Sequence, residues 1–111
     1  METPRAEIFR KLLEKEPNNP MILCSLGIEL FKEGRYPEAR EHLRRAIENK
    51  ADYSVAYRML GRTHFELHEN HEARRVFTEG REVARQNGDL QTVREIDVFV
   101  RRLDKRESGE G

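Results

Sequence analysis

The sequence predicts an all-α fold of antiparallel helix-pair repeats, about six helices with a capping helix at the C-terminal end. Three observations carry that prediction. The stretch Leu23-Cys24-Ser25-Leu26-Gly27-Ile28-Glu29-Leu30 is echoed by Tyr57-Arg58-Met59-Leu60-Gly61-Arg62-Thr63-His64 at an interval of thirty-four residues. The same interval joins Ala39 to Ala73 and Leu43 to Phe77. Apolar residues elsewhere fall three or four apart, the spacing of one helical face, in segments divided by Pro, Gly and Asn. A period of this length marks stacked units that bury their apolar faces only against their neighbours.

Composition limits what such a chain can do. Its 111 residues suffice for one domain with an elongated core. Charged residues reach 38% against 36% apolar, and mean hydropathy is -0.90, so the surface is ionic. The 21 basic and 21 acidic residues cancel, which removes the bulk electrostatic drive toward nucleic acid or an anionic membrane. Cys24 is the sole cysteine, excluding an internal disulfide and a thiolate zinc cage. Met1-Glu2-Thr3-Pro4-Arg5 carries an acid and no long apolar run follows, so neither a secretory signal nor a membrane span is expected. The cytoplasm is the expected compartment.

Each helix has its own signals. Thr3-Pro4 opens the first, to about Lys15, with Ile8, Phe9, Leu12 and Leu13 as its stripe. Asn19-Pro20 opens the second, which reaches Glu33, is apolar on nearly every side and stops at Gly34. Tyr36-Pro37 starts the third, with Ala39, Leu43, Ala46 and Ile47 inward. The fourth spans about Tyr53 to Leu67. A turn at His68 to Asn70, lacking glycine, precedes the fifth, His71 to Gln86. Asn87-Gly88-Asp89 stops that helix and caps the sixth, to about Lys105. Residues 106–111 are expected to be a disordered tail.

These residues resemble the tetratricopeptide repeat (TPR) family, whose unit is a 34-residue helix pair. Leu23, Leu26, Gly27, Leu30, Ala39 and Leu43 match its pattern once, and Tyr57, Leu60, Gly61, His64, Ala73 and Phe77 match it again. The register divides the chain into a half repeat (4–19), two repeats (20–53 and 54–87) and a capping helix (88–105). In that helix Arg94-Glu95 replaces Leu-Gly, as befits an end that nothing packs beyond.

The resemblance implies a non-catalytic scaffold or adaptor that holds a protein or peptide partner in a concave groove lined by first-half helices. Carried over by register, the groove includes Met21, Cys24, Ser25, Ile28 and Lys32 from one repeat and Val55, Arg58, Met59 and Arg62 from the next. Arg58 and Arg62, four apart, project to the same side and suit an acidic residue on an apolar peptide or amphipathic helix. The competing reading packs Ile28 and Met59 on neighbouring helices and leaves the arginines solvated. Some family members clamp a chaperone's C-terminal carboxylate with lysine and asparagine. Those positions here are Cys24, Ile28 and Met59 in one register, or Ser25, Val55 and Met59 in the other.

His64, His68 and His71 invite a metal reading, but His64 holds the family's core tyrosine position and the others lie at a surface turn, so no metal or cofactor is expected. Cys24 is expected to be an inert apolar filler. Arginines of the second-half helices, such as Arg40, Arg44 and Arg75, are interleaved with glutamates, which suits a solvated face and not a nucleic-acid surface. No phosphate loop or catalytic constellation is recognisable. The alternative function is a self-associating structural module, or a piece of a larger array, with Ile8, Phe9, Phe99 and Val100 as its end contacts.

Overall fold

The computed structural model describes residues 2–109, and among them six helices carry most of the chain: α1 (Pro4–Lys15), α2 (Pro20–Lys32), α3 (Tyr36–Asn49), α4 (Ser54–Glu66), α5 (Asn70–Gln86) and α6 (Leu90–Glu107). Three of their starts are written in a single side chain. Thr3 Oγ1 accepts from Ala6 N at 3.2 Å, Asn19 Oδ1 from Met21 N at 2.9 Å, and Asp89 Oδ1 from Thr92 N at 3.1 Å. Such caps contribute about 1 kcal/mol each by satisfying N–H groups the helix leaves orphaned.

Two ends share one device a period apart. After α2, Gly34 takes φ 76° and Arg35 N donates back to Leu30 O at 2.9 Å. After α4 the same bond runs from Glu69 N to His64 O, also at 2.9 Å, with His68 at φ 59°. A side chain in this left-handed region costs about 1–2 kcal/mol, and His68 stands where glycine, the usual signal of such a turn, would avoid that cost. Glu69 works against that cost. Its carboxylate lies 2.7 Å from His64 Nδ1 and accepts from Arg40 Nη1 at 2.6 Å, tying the turn to α3 and α4.

The helices form antiparallel pairs, α2 with α3 and α4 with α5, while α1 and α6 flank the array. The result is a slab of 43 × 33 × 19 Å. Close approach within each pair depends on glycine. A Cβ on Gly27 would stand 2.6 Å from Leu43 Cγ, and one on Gly61 would enter the ring of Phe77. Leu43 and Phe77 are fully buried, so neither has room to retreat. The core falls into two clusters, one built on Leu23, Leu26, Leu30 and Leu43, the other on Phe77, Ile96 and Leu103.

The last helix outruns its expected end. Arg106 and Glu107, expected in the tail, are helical because they are tied to the repeat before them. Arg106 Nη1 donates to Phe65 O at 2.8 Å and to Asn70 Oδ1 at 3.0 Å, and Glu107 pairs with Arg74. Ser108 and Gly109 form a turn, and Glu110 and Gly111, also assigned to the tail, lie outside the described residues. No helix among the described residues is long and apolar enough to cross a membrane.

The glycine contact yields a test by chemical denaturation. Alanine at position 61 would gain up to about 1 kcal/mol of helix propensity, but overpacking a rigid ring costs about 1–3 kcal/mol. Gly61→Ala is therefore expected to destabilise, and Phe77→Leu combined with it to cost less than the sum of the two changes. Strict additivity would contradict the contact.

Candidate functional site

The first-half helices α2, α4 and α6 place Phe31, Phe65 and Phe99 at equivalent positions thirty-four residues apart. Arg62 of α4 lies between two of them, its guanidinium carbon 5.0 Å from the Phe31 ring centroid and 4.8 Å from that of Phe99. Arg102 lies over Phe99 as well, at 5.0 Å, and Phe65 meets Phe99 edge-on at 5.8 Å. Alternating rings and guanidinium groups thus run across three helices. Each such contact contributes about 0.5–1 kcal/mol when exposed and about 2 when desolvated.

This stacking holds Arg62 in place without neutralising it. Arg62 forms no ion pair among the described residues, and its Nε is buried with no hydrogen-bond partner. Burial pulls its pKa below the ordinary arginine range, and the nearby Arg58 adds to the fall, partly opposed by Glu66 and Glu95, with Arg102 contributing least. One turn earlier, Arg58 Nε stands 2.9 Å from Glu95 Oε2. The pair is in electrostatic contact but out of line for a hydrogen bond, since Arg58 Nε too lacks a partner. A cleft of about 390 Å³ opens between Arg58, Arg62, Glu95, Val98, Phe99 and Arg102.

The expected groove residues divide among three environments. Arg58 and Arg62 line this cleft together. Ser25, Ile28 and Lys32 open instead onto a smaller one beside α1, with Arg5, Phe9 and Glu29. Cys24 and Met59 are core residues, 1% and 5% exposed, and do not reach the surface where they were expected. Val55 is half-buried against the same core, and Met21 is exposed. Cys24 and Met59 belong to the core cluster of Leu23, Leu26, Leu30 and Leu43, and that packing covers the strip. Burial pushes the Cys24 thiol up to about 11, leaving it without thiolate character, and the half-buried Tyr53 beside it is raised to about 12.

Four contributors were missed by the sequence reading: Glu95, Val98, Phe99 and Arg102, all on α6. The equal spacing of the three phenylalanines was their available signal. Treating α6 as a cap hid its share in the site.

The remaining candidates are structural. His64 is buried and held by Glu69, while His68 and His71 are exposed. Among the described residues no group of three or more His, Cys, Asp or Glu could hold a metal ion. The second-half arginines are paired: Arg44 with Glu41 and Glu48, Arg75 with Glu72 and Glu79, Arg85 with Glu82.

Comparison with known proteins places this geometry in context. Two tetratricopeptide repeat profiles match, one over residues 30–95 and the other over 8–41. A TPR repeat-containing protein of Pseudomonas aeruginosa is 31% identical over 99 residues, which is 89% of this chain and 94% of that one. A Bordetella parapertussis protein solved in solution is 30% identical, covers 99% of this chain and 95% of its own, and superposes with a TM-score of 0.83. The TPR2B domain of yeast Sti1, solved as a complex with pHsp70, superposes with a TM-score of 0.87 over 91% of this chain and 81% of that one; at 18% identity it shows a shared fold.

Arg62 joins favourable stacking to the cost of a half-buried cation with an unused donor. Arg62→Met, which keeps an unbranched chain between the rings, is expected to change unfolding free energy by less than about 1 kcal/mol in urea titration. A loss above about 2 kcal/mol would make the arginine a structural element and not a reserved binding group.

Proposed function

Because the chain belongs to the tetratricopeptide repeat family, we propose that it is a non-catalytic protein-interaction module, an adaptor that takes a peptide or amphipathic helix against its first-half helices. The observation that supports this most is Arg62, a guanidinium fixed between two aromatic rings with no carboxylate partner among the described residues. A ligand carboxylate arriving there meets a preorganised partner. Charge-assisted hydrogen bonds of this kind contribute about 1.5–3 kcal/mol. Val98 and Phe99 beside it offer apolar contact, which suits an acidic residue next to an apolar one.

Glu95 sets the selectivity. Its carboxylate already faces Arg58, so a ligand gains at Arg58 only by displacing it. A neutral peptide has no means to do so. Ligand choice thereby rests on charge at two guanidinium groups in a protein without net charge. The yeast domain of similar fold was solved with pHsp70, but the clamp positions implied by the family resemblance hold Cys24, Ile28 and Met59, or Ser25, Val55 and Met59, with no lysine or asparagine among them. An internal acidic side chain is therefore the better ligand here than a free chaperone terminus.

Self-association is a second reading, for which Ile8 is the one expected contact that stands exposed, at 57%, with Leu12 beside it at 40%, while Phe9 is half-buried against the core. Phe99 and Val100, expected at the other end, are instead half-buried against Phe77 and its neighbours. Sedimentation across a concentration range tests it, and a strict monomer at high concentration counts against it.

The groove reading is tested by titrating a synthetic peptide carrying one glutamate flanked by leucines. Arg58→Glu with Arg62→Glu is expected to weaken binding about a hundredfold, two lost charge-assisted contacts at roughly 1.4 kcal/mol each, while the circular dichroism spectrum stays that of the folded helical protein. Undiminished binding by the folded double variant would remove the site.

A further inference from the structure

Position by position, α6 repeats α2 and α4 but inverts the chemistry of one face. In α2 the residues Leu26, Gly27 and Leu30 lie under the second-half helix α3, and in α4 Leu60, Gly61 and His64 lie under α5. The equivalents in α6 are Arg94, Glu95 and Val98, with no helix over them among the described residues. The stripe continues along α6 at helical spacing from Leu90 through Arg94, Val98 and Arg101 to Lys105. Leu90 and Val98 are 57% and 41% exposed.

Charge on α6 is segregated. All four of its carboxylates are spent on the rest of the molecule: Glu95 faces Arg58 at 2.9 Å, Asp97 accepts from Arg81 at 2.8 Å, and Asp104 and Glu107 both hold Arg74. Arg94, Arg101, Arg102 and Lys105 are left without a carboxylate partner among the described residues. Arg44 and Arg75 of the second-half helices, by contrast, find glutamates three or four residues away on their own helix. A second cleft, of about 640 Å³, adjoins the far end of this face between Phe65, Arg102, Lys105, Arg106 and Gly109.

We infer that this outer face of α6 is a docking surface for an acidic amphipathic helix of a partner protein, which lies across α6 where a second-half helix would otherwise pack. The occupant's chemistry follows from complementarity. Four unpaired cations exclude another apolar second-half helix, because burying them without counter-charges costs several kcal/mol per ion. Glutamates at matching helical spacing supply those charges, and leucines between them cover Leu90 and Val98. A nucleic acid fits less well, since no exposed aromatic interleaves the cations to stack bases. An anionic membrane fits less well too, with two modest apolar side chains to insert. The inference does not rest on the groove reading: Val98 and Arg102 also border the cleft of Arg58 and Arg62, but Leu90, Arg94, Arg101 and Lys105 lie outside it.

The test uses the full chain and a synthetic helical peptide with glutamates spaced as Arg94, Arg101 and Lys105, leucines between them, and a twin carrying glutamine for every glutamate. The glutamate peptide is expected to bind, with amide shifts concentrated over residues 90–105, and the glutamine twin to bind about tenfold more weakly or less, since each exposed pair contributes up to about 1 kcal/mol. Arg94→Glu with Arg101→Glu should abolish binding while leaving the circular dichroism spectrum unchanged; Arg101→Gln with Lys105→Gln gives the same reading if that variant fails to fold. Arg58→Glu with Arg62→Glu should leave it within about twofold, which separates this surface from the groove. Equal binding of both peptides, undiminished binding by the folded α6 variants, or preferential binding of phosphatidylserine vesicles or an oligonucleotide would overturn the proposal.

Discussion

The contact on which the rest of the molecule depends is the approach of a first-half helix to its partner across a residue with no side chain. Gly27 against Leu43 and Gly61 against Phe77 let the pairs close, and only then do Leu23, Leu26 and Leu30 form one continuous core. At the third equivalent position stands Glu95. The close approach that glycine allows at Gly27 and Gly61 is therefore missing on α6. The carboxylate that ends the packing also reaches Arg58 and shapes the cleft beside Arg62. Fold and site diverge at one residue.

The ionic surface needs the same discrimination. Exposed pairs such as Arg44 with Glu41 and Glu48 add little to stability, because solvent screens them and ordering long side chains offsets the attraction. Their main consequence is to remove those charges from competition. The informative cations are those left over. Arg62 is stacked and unpaired, and Arg94, Arg101, Arg102 and Lys105 lie on the last helix with their neighbouring acids turned inward. Zero net charge conceals this unevenness.

Local rules carried the fold. Caps at Thr3 and Asn19, the stop at Gly34 and the 34-residue period fixed where helices begin, end and pair, because each acts within a turn or through a repeated register. His68 is the exception, a turn expected without glycine, whose left-handed conformation is accompanied by the bonds of the adjacent Glu69 to His64 and to Arg40 of α3. The site was legible only in part. Arg58 and Arg62 could be found from their spacing on one helix. Cys24 and Met59 could not be excluded, since their burial depends on packing in the core cluster that spans the repeats. The share of α6 was hidden for the same reason, with Phe31 and Phe99 separated by two periods and joined only through Arg62.

Selection of binders from an unbiased peptide library on the immobilised protein is the most direct measurement of the central claim, that this scaffold chooses partners by acidic side chains beside apolar ones. The account predicts enrichment of internal glutamate or aspartate next to leucine-like residues, independent of a free C-terminus and weakened by salt. Enriched sequences without acids, or ones that require a terminal carboxylate, would contradict it.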